Sequence, residues 1–508
     1  MAISIGKSFT VMGIDAYPVT VEVDIGKGLP SYSTVGLPDK AVLESKNRIN
    51  AAIKNSGYKF PVKKITVNLA PADIKKEGSS FDFPIALGIL AASGFINKNK
   101  KLNKIICVGE LSLNGDLRNI NGALSMALKI KEEGFRKMLL PAGNAKEAGV
   151  VKGLKVLPVN NLLQAVNYLN GEEEIPAVKV DLKKEFEVNK NYPYDFSDIK
   201  GQFFAKRALE VAAAGGHNVL MTGPPGSGKT MMAKRMVTIL PPLTVQEAIE
   251  VTRIKSVAGE LKSGLGLQST RPFRAPHHTI SDVALVGGGS IPRPGEISLA
   301  HRGILFLDEF PEFKRKVIEV IRQPLEEGSI TISRAAQTVR YPAGFMLIAA
   351  MNPCPCGFYG VPGKECSCTL HRIRNYRNKI SGPIMDRIDI HVEVPRVKKA
   401  HIQSDIPAES SEVIVERVIK AREIQSNRFK NIEGIYNNSE IKAKNIRKIC
   451  RSTEKAGSLL ARALDSYGIS ARGYNKILKV SRTIADLESR KVVSTSDIEE
   501  ALQYRNIS

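Results

Sequence analysis

The stretch HNVLMTGPPGSGKTMMAKRMVTIL, residues 217–240, limits what this chain can fold into more than any other. An apolar run leads into G-x-x-x-x-G-K-T from Gly223 to Thr230, and an amphipathic run follows. Strand, glycine-rich turn and helix start, in that order, make a phosphate-binding loop. Gly223, Pro224, Pro225, Gly226, Ser227 and Gly228 form a cradle whose N–H groups converge on phosphate at a helix N-terminus. Lys229 is placed to reach the β- and γ-phosphates and Thr230 to ligate Mg²⁺, so ATP and Mg²⁺ are the expected cofactors. The fold class that follows is α/β.

Further segments extend the site. In GILFLDEF a buried strand ends in two carboxylates: Asp308 suits the Mg²⁺ shell and Glu309 the polarisation of an attacking water. The strand of GFMLIAAMN ends at Asn352, an amide able to orient that water and report the γ-phosphate. SGPIMDRIDIHVEV holds Arg387 among apolar positions, and SARGYNKILKVSRTIADL starts a helix with Arg472. An arginine supplied across a subunit boundary accelerates hydrolysis by about 10³–10⁵.

Charge points to the partner. The chain of 508 residues carries a net +23. Residues 1–170 hold 23 Lys/Arg against 13 Asp/Glu and residues 396–508 hold 22 against 14, whereas 171–395 hold 29 against 24. Basic ends around a balanced middle suit a polyanion such as nucleic acid. The opening residues lack the basic flank and apolar run of a secretory signal, and no apolar run reaches the ~20 residues that span a membrane. A cytoplasmic protein with reduced thiols and no membrane partner is expected.

The phosphate loop, LDEF, AAMN, DRID and SARGYNKIL occur in an order similar to that of AAA+ ATPases of the magnesium-chelatase and replicative-helicase branch. RPFRAPHHTIS, RPGEISLAHRGILFLDEF and NPCPCG resemble the bacterial magnesium-chelatase-like ATPases of the ComM/YifB type, over almost the whole chain. The resemblance implies a ring, a hexamer, in which Arg387 acts on a neighbour's nucleotide and Arg472 is the sensor arginine of a helical lid. DIKGQFFAKRAL, with Gln202, resembles the stretch that holds the adenine. The implied layout is a Lon-protease-like α+β domain at 1–170, a linker at 171–198, an AAA+ αβα core at 199–395 and a helical lid at 396–508.

KKEGSSFDFPIALGILAA resembles the nucleophile segment of Lon-type proteases, with Ser80 at the serine position. A serine hydroxyl needs an activating base. Ala123 and Leu124 stand where the Lon lysine is expected, so the domain reads as proteolytically inactive, either a basic platform for DNA or an oligomerisation collar.

Four of six cysteines crowd into NPCPCGFYGVPGKECSC, as C-x-C, nine residues, C-x-C. Cys354, Cys356, Cys366 and Cys368 suit a closed tetrahedral Zn²⁺ site; reduced non-ligand thiols and an iron–sulfur cluster are the alternatives. GSITISRAAQTVRYPAGF reads as a β-hairpin carrying Arg334 and Arg340, which in related helicases enters the ring's pore, and Arg274 and His277 lie in a stretch that resembles a second pore insertion. These four are the candidate DNA contacts. The functional expectation is an ATP-driven motor that translocates or branch-migrates single-stranded or branched duplex DNA, in the recombination of DNA taken up by natural transformation. The rival is a magnesium-chelatase motor subunit for metal insertion into a tetrapyrrole.

Overall fold

The computed structural model describes residues 2–505 apart from 77, 98–101, 189–191, 263, 290–291, 335–336, 398–407 and 433. It divides into two compact units, residues 1–190 with 245–269, and residues 191–244 with 270–508. Both are mixed α/β, in agreement with the fold class read from the sequence.

The first unit is built on a seven-stranded sheet in the order Ser31–Val35, Lys64–Ala70, Asp15–Gly26, Ala2–Met12, Ile106–Cys107, Lys137–Pro141, Lys155–Val159. Its longest ribbon pairs Ala2–Met12 antiparallel with Asp15–Gly26. Val19, Val21, Val23 and Ile25 point into the core at every second position, the period of a strand with one buried face. Helix Asp82–Ala92 is buried almost all round because it has no charge beyond Asp82, whose carboxylate accepts from Arg48 at 2.7 Å. Ser80 just precedes this helix and accepts from the Gly109 N–H through its backbone oxygen. Ala123 and Leu124 are buried at the start of helix Ala123–Glu132.

Helix Val245–Ala258 also packs in this unit. Ser256 Oγ accepts from the Gly122 N–H at 2.8 Å, and Arg253 reaches Asp15 Oδ1 at 2.8 Å. The sequence reading keeps this segment within residues 199–395, and separates 396–508 from that core. In the structure the helix belongs to the first compact unit, and the residues after 396 share the second with the sheet; a helix's apolar period carries no mark of which sheet it will cover.

The second unit holds a five-stranded sheet in the order Phe273–Arg274, Ile304–Leu307, Met346–Met351, Val219–Thr222, Ile390–Glu393. Every neighbouring pair is parallel. Ile304–Leu307 and Met346–Met351 are buried at every position, as expected for parallel strands covered on both faces. Helices Ser411–Phe429, Glu454–Tyr467, Ala471–Leu487 and Thr495–Gln503 follow the sheet in the chain. In Ala471–Leu487 the buried Ile477, Val480, Ile484 and Ala485 recur at helical spacing, and they share one apolar cluster with Val219, Ile348 and Ile390 of the sheet. Among the described residues no helix is long and apolar enough to cross a membrane.

Candidate nucleotide site and cysteine knuckle

A parallel sheet brings the carboxyl ends of its strands to one edge, and side chains placed there meet across the chain. The phosphate loop leaves Val219–Thr222, Asp308 follows Ile304–Leu307, and Asn352 follows Met346–Met351. Thr222 lies in register with Met351, and Leu307 with Ala349, so the three exits are neighbours.

The predicted residues converge there. Lys229 Nζ donates to the carbonyls of Gly223 at 2.7 Å and Pro224 at 3.0 Å, and lies 3.3 Å from Asn352 Oδ1. Burial pushes the Lys229 ammonium below its usual range, against the opposing pull of Asp308 and Glu309. Thr230 Oγ1 donates to Asp308 Oδ2 at 2.6 Å, which sets two oxygens side by side for a divalent cation. Ser227 Oγ is buried without a hydrogen-bond partner among the described residues. Gln202 bonds the carbonyl of Pro395 and lies 3.5 Å from that of Ser227. The loop leaves no room at Gly223, where a Cβ would sit 2.1 Å from the Val394 carbonyl oxygen. An anion with a bound cation fits this set: a buried ammonium, an unpartnered hydroxyl and a hydroxyl–carboxylate pair.

Glu309 stands at the same edge with its backbone in the left-handed region, φ 51°. Its Oε2 lies 3.4 Å from His278 Nδ1, and the His277 and His278 ring centroids are 4.1 Å apart with the planes tilted by 36°. His277 therefore sits beside the carboxylates. Sequence reasoning missed the His278–Glu309 contact, which joins two segments some thirty residues apart and leaves no local pattern.

Arg387 and Arg472 lie elsewhere. Asn218, the residue before Val219, donates through Nδ2 to the Arg387 carbonyl at 3.0 Å, so Arg387 belongs to the amino edge of the sheet. Four strand residues, or about 13 Å, separate that edge from the phosphate loop. Arg387 pairs with Glu326, and Arg472 Nη1 lies 3.6 Å from Asp386. All four line one cavity of about 240 Å³ with Lys476. Burial, with Arg322 and Arg472 nearby, lowers the Arg387 guanidinium from its usual value.

The hairpin expected from the sequence is present, as Ser329–Arg334 paired with Gln337–Pro342. Arg340 is exposed on it and donates to Ser329 Oγ at 3.0 Å; the Arg334 side chain lies outside the described residues. Arg274 is held by both oxygens of Glu296 at 2.6 Å, an engagement that occupies its fork.

The cysteines meet just beyond Asn352. Cys354 Sγ lies 3.3 Å from Cys356 Sγ and 3.7 Å from Cys366 Sγ, Cys356 and Cys366 are 3.6 Å apart, and all four sulfurs fall within 4.8 Å of one another. Four thiolates at ~2.3 Å from one zinc have edges of about 3.8 Å. An iron–sulfur cluster distributes its thiolates over the corners of a larger core, so one tetrahedral metal fits these positions better. The Tyr359 N–H donates to Cys354 Sγ at 3.3 Å, an outer bond of the kind that orients a thiolate ligand.

A five-stranded parallel sheet with a phosphate loop, a lysine, a threonine–carboxylate pair and an asparagine at one edge defines a P-loop ATPase. The chain belongs to the magnesium-chelatase-like ATPase family of the ComM/YifB type. Residues 195–402 match the family described as magnesium chelatase, subunit ChlI; residues 21–144 match subunit ChlI of Mg-chelatase, and residues 408–505 the C-terminal part of that subunit. Competence protein ComM of Haemophilus influenzae is 45% identical over 510 residues, 99% of this chain and 98% of that protein. The YifB protein of Escherichia coli is 42% identical, over 100% of this chain and 98% of its own length. The chloroplastic magnesium-chelatase subunit ChlI-2 of Arabidopsis thaliana is 23% identical over 66% of this chain.

Proposed function

We propose that this chain is an ATP-driven DNA motor: a hexameric AAA+ ring in the cytoplasm that translocates or branch-migrates single-stranded or branched duplex DNA, in the recombination of DNA taken up by transformation. The observation that carries the DNA half is the likeness to Competence protein ComM, which runs over 99% of the chain. Charge supports it: besides the net +23, a cavity of about 610 Å³ is lined by Arg428, Lys442, Lys444, Lys448, Arg451 and Lys491. Such a surface attracts a phosphate backbone without reading its sequence.

The roles follow from position. Lys229 holds the β- and γ-phosphates of ATP, while Gln202 borders the loop on the adenine side. Thr230 and Asp308 would hold Mg²⁺, which neutralises charge on the phosphates when bound. Glu309 polarises the attacking water and Asn352 orients it. Arg387 stands at the opposite edge of the sheet, which supports its reaching a neighbour's nucleotide in the ring, and Arg472 is the sensor arginine of the lid. The first unit is a Lon-protease-like fold in which Ser80 lacks its lysine, and the helices after residue 396 form the lid. Arg340 and Arg334, on the hairpin, contact DNA in the pore; Arg274 and His277, engaged within the chain, contribute less. The four cysteines hold Zn²⁺.

The second reading, a chelatase motor subunit, is favoured by the descriptions of the matching family models and weakened by the partial, 23% likeness to the chloroplast subunit. ATP hydrolysis with and without a four-way DNA junction, with labelled strands, separates the two. The motor reading expects turnover stimulated by the junction, strands exchanged, and both lost in Lys229→Ala. Turnover indifferent to DNA would move the chelatase-type motor ahead.

A further inference from the structure

The cysteine knuckle lies against the phosphate loop. Gly357 adopts φ +85°, and a Cβ there would stand 2.5 Å from Cδ of Pro225, the third residue of the loop. Asn352, two residues before Cys354, is the group 3.3 Å from Lys229 Nζ. The knuckle thus supports the nucleotide site at two points, through the ring of Pro225 and through the residue that meets the lysine.

Its other end grips a basic helix. Thr369, after Cys368, caps helix Leu370–Arg377 by accepting from the Arg372 N–H at 3.3 Å. Arg377 returns to the knuckle: its Nε donates to the Pro353 carbonyl at 3.3 Å, and its guanidinium lies 5.6 Å from the Tyr359 ring. Tyr359 is the residue whose N–H bonds Cys354 Sγ.

Little else holds this segment together. From Pro355 to Leu370 only Gly357 is buried. Its internal backbone bonds include three turn closures, Gly357 to Cys354, Val361 to Phe358 and Lys364 to Val361. A stretch without an apolar core keeps one shape only if something crosslinks it, and a tetrathiolate metal does so.

We propose that the zinc-closed knuckle is a strut for the phosphate loop, so that metal occupancy sets the affinity of the chain for ATP. This rests on the reading of the four cysteines as a zinc site and is independent of the DNA reading. With metal bound, Gly357 seats Pro225 and the loop is preorganised for phosphate. Without it the seat is lost, and ordering the loop must be met from nucleotide binding.

The test uses the full chain, purified without chelator under reducing conditions, with zinc counted by mass spectrometry and affinity measured with a fluorescent ATP analogue in excess Mg²⁺. The expected result is one zinc per chain, and a loss of roughly tenfold or more in affinity after stripping the metal or in Cys366→Ser. Zinc, added back, restores the affinity of the stripped protein. Gly357→Ala is expected to keep its zinc yet bind nucleotide more weakly, which separates the seating of the loop from possession of the metal. Zinc present but removable with nucleotide affinity unchanged, or Gly357→Ala binding as the native chain does, would overturn the strut and leave the metal site standing. Native affinity in a protein that holds no zinc would overturn the metal reading itself.

Discussion

The two edges of the five-stranded sheet gather different side chains. At the carboxyl edge Lys229 meets Asn352 and Thr230 meets Asp308 within one chain. At the amino edge Arg387 pairs with Glu326 and donates to the Pro383 carbonyl, and Arg472 Nη1 lies 3.6 Å from Asp386. A strand of four residues keeps the halves apart. Under the proposed function the first half is complete by folding, whereas Arg387 would meet phosphate only when another copy brings its carboxyl edge alongside. The lesson is that the sheet's thickness, rather than a flexible link, makes hydrolysis depend on assembly in the proposed ring.

The largest effect expected from this contrast is at Arg387. Arg387→Ala is expected to lower kcat by about 10³ while nucleotide binding holds, since the arginine serves the transition state of another subunit. Single-turnover rates alongside binding isotherms check it. A fall in binding equal to the fall in rate would place the arginine in its own site.

A second prediction concerns the stability of the amino edge. His391, on the strand after Arg387, is half-buried; loss of solvent around the ring, then Arg505 and Lys476, push its imidazole down to about 4. The unfolded chain takes up a proton below about 6.5 that the folded chain refuses, so this contribution is complete above pH 6.5 and fades as pH falls toward 4, by at most about 3 kcal/mol. Thermal midpoints at pH 7.5 and 5 should therefore converge in His391→Phe relative to the native chain. Equal pH slopes would show that other groups govern the edge.

The smallest effect is expected at Glu326. Its carboxylate is half-exposed and so already answered by water, although the Arg387 side chain is mostly buried. Glu326→Gln should leave turnover within about twofold of native. A collapse as deep as that of Arg387→Ala would mean that the ion pair itself, rather than an arginine given to a neighbour, is what matters.

The carboxyl edge was largely legible in the sequence. Gly223–Thr230 is one contiguous motif, and Asp308 and Asn352 each end an apolar run, so a parallel sheet was enough to bring them together. The amino edge was not. The meeting of Arg387 with Arg472 depends on strand order and on where the helices after residue 411 pack, and neither leaves a local mark. The cysteine spacing announced that four thiols would gather, but the seating of Gly357 on Pro225 joins segments more than a hundred residues apart. The contacts of helix Val245–Ala258 with Gly122 and Asp15 are long-range in the same way.

The central claim, that a working site needs a lysine from one chain and an arginine from the next, is tested most directly by mixing two dead proteins. Lys229→Ala and Arg387→Ala are each expected to show no turnover alone. Mixed in equal amounts and allowed to exchange, about a quarter of the interfaces of a head-to-tail ring pair an intact phosphate site with an intact arginine. Hydrolysis should recover to about that share of the native rate. If co-assembly is demonstrated by pull-down and the mixture stays as inactive as its parents, the division of the site between two chains is wrong.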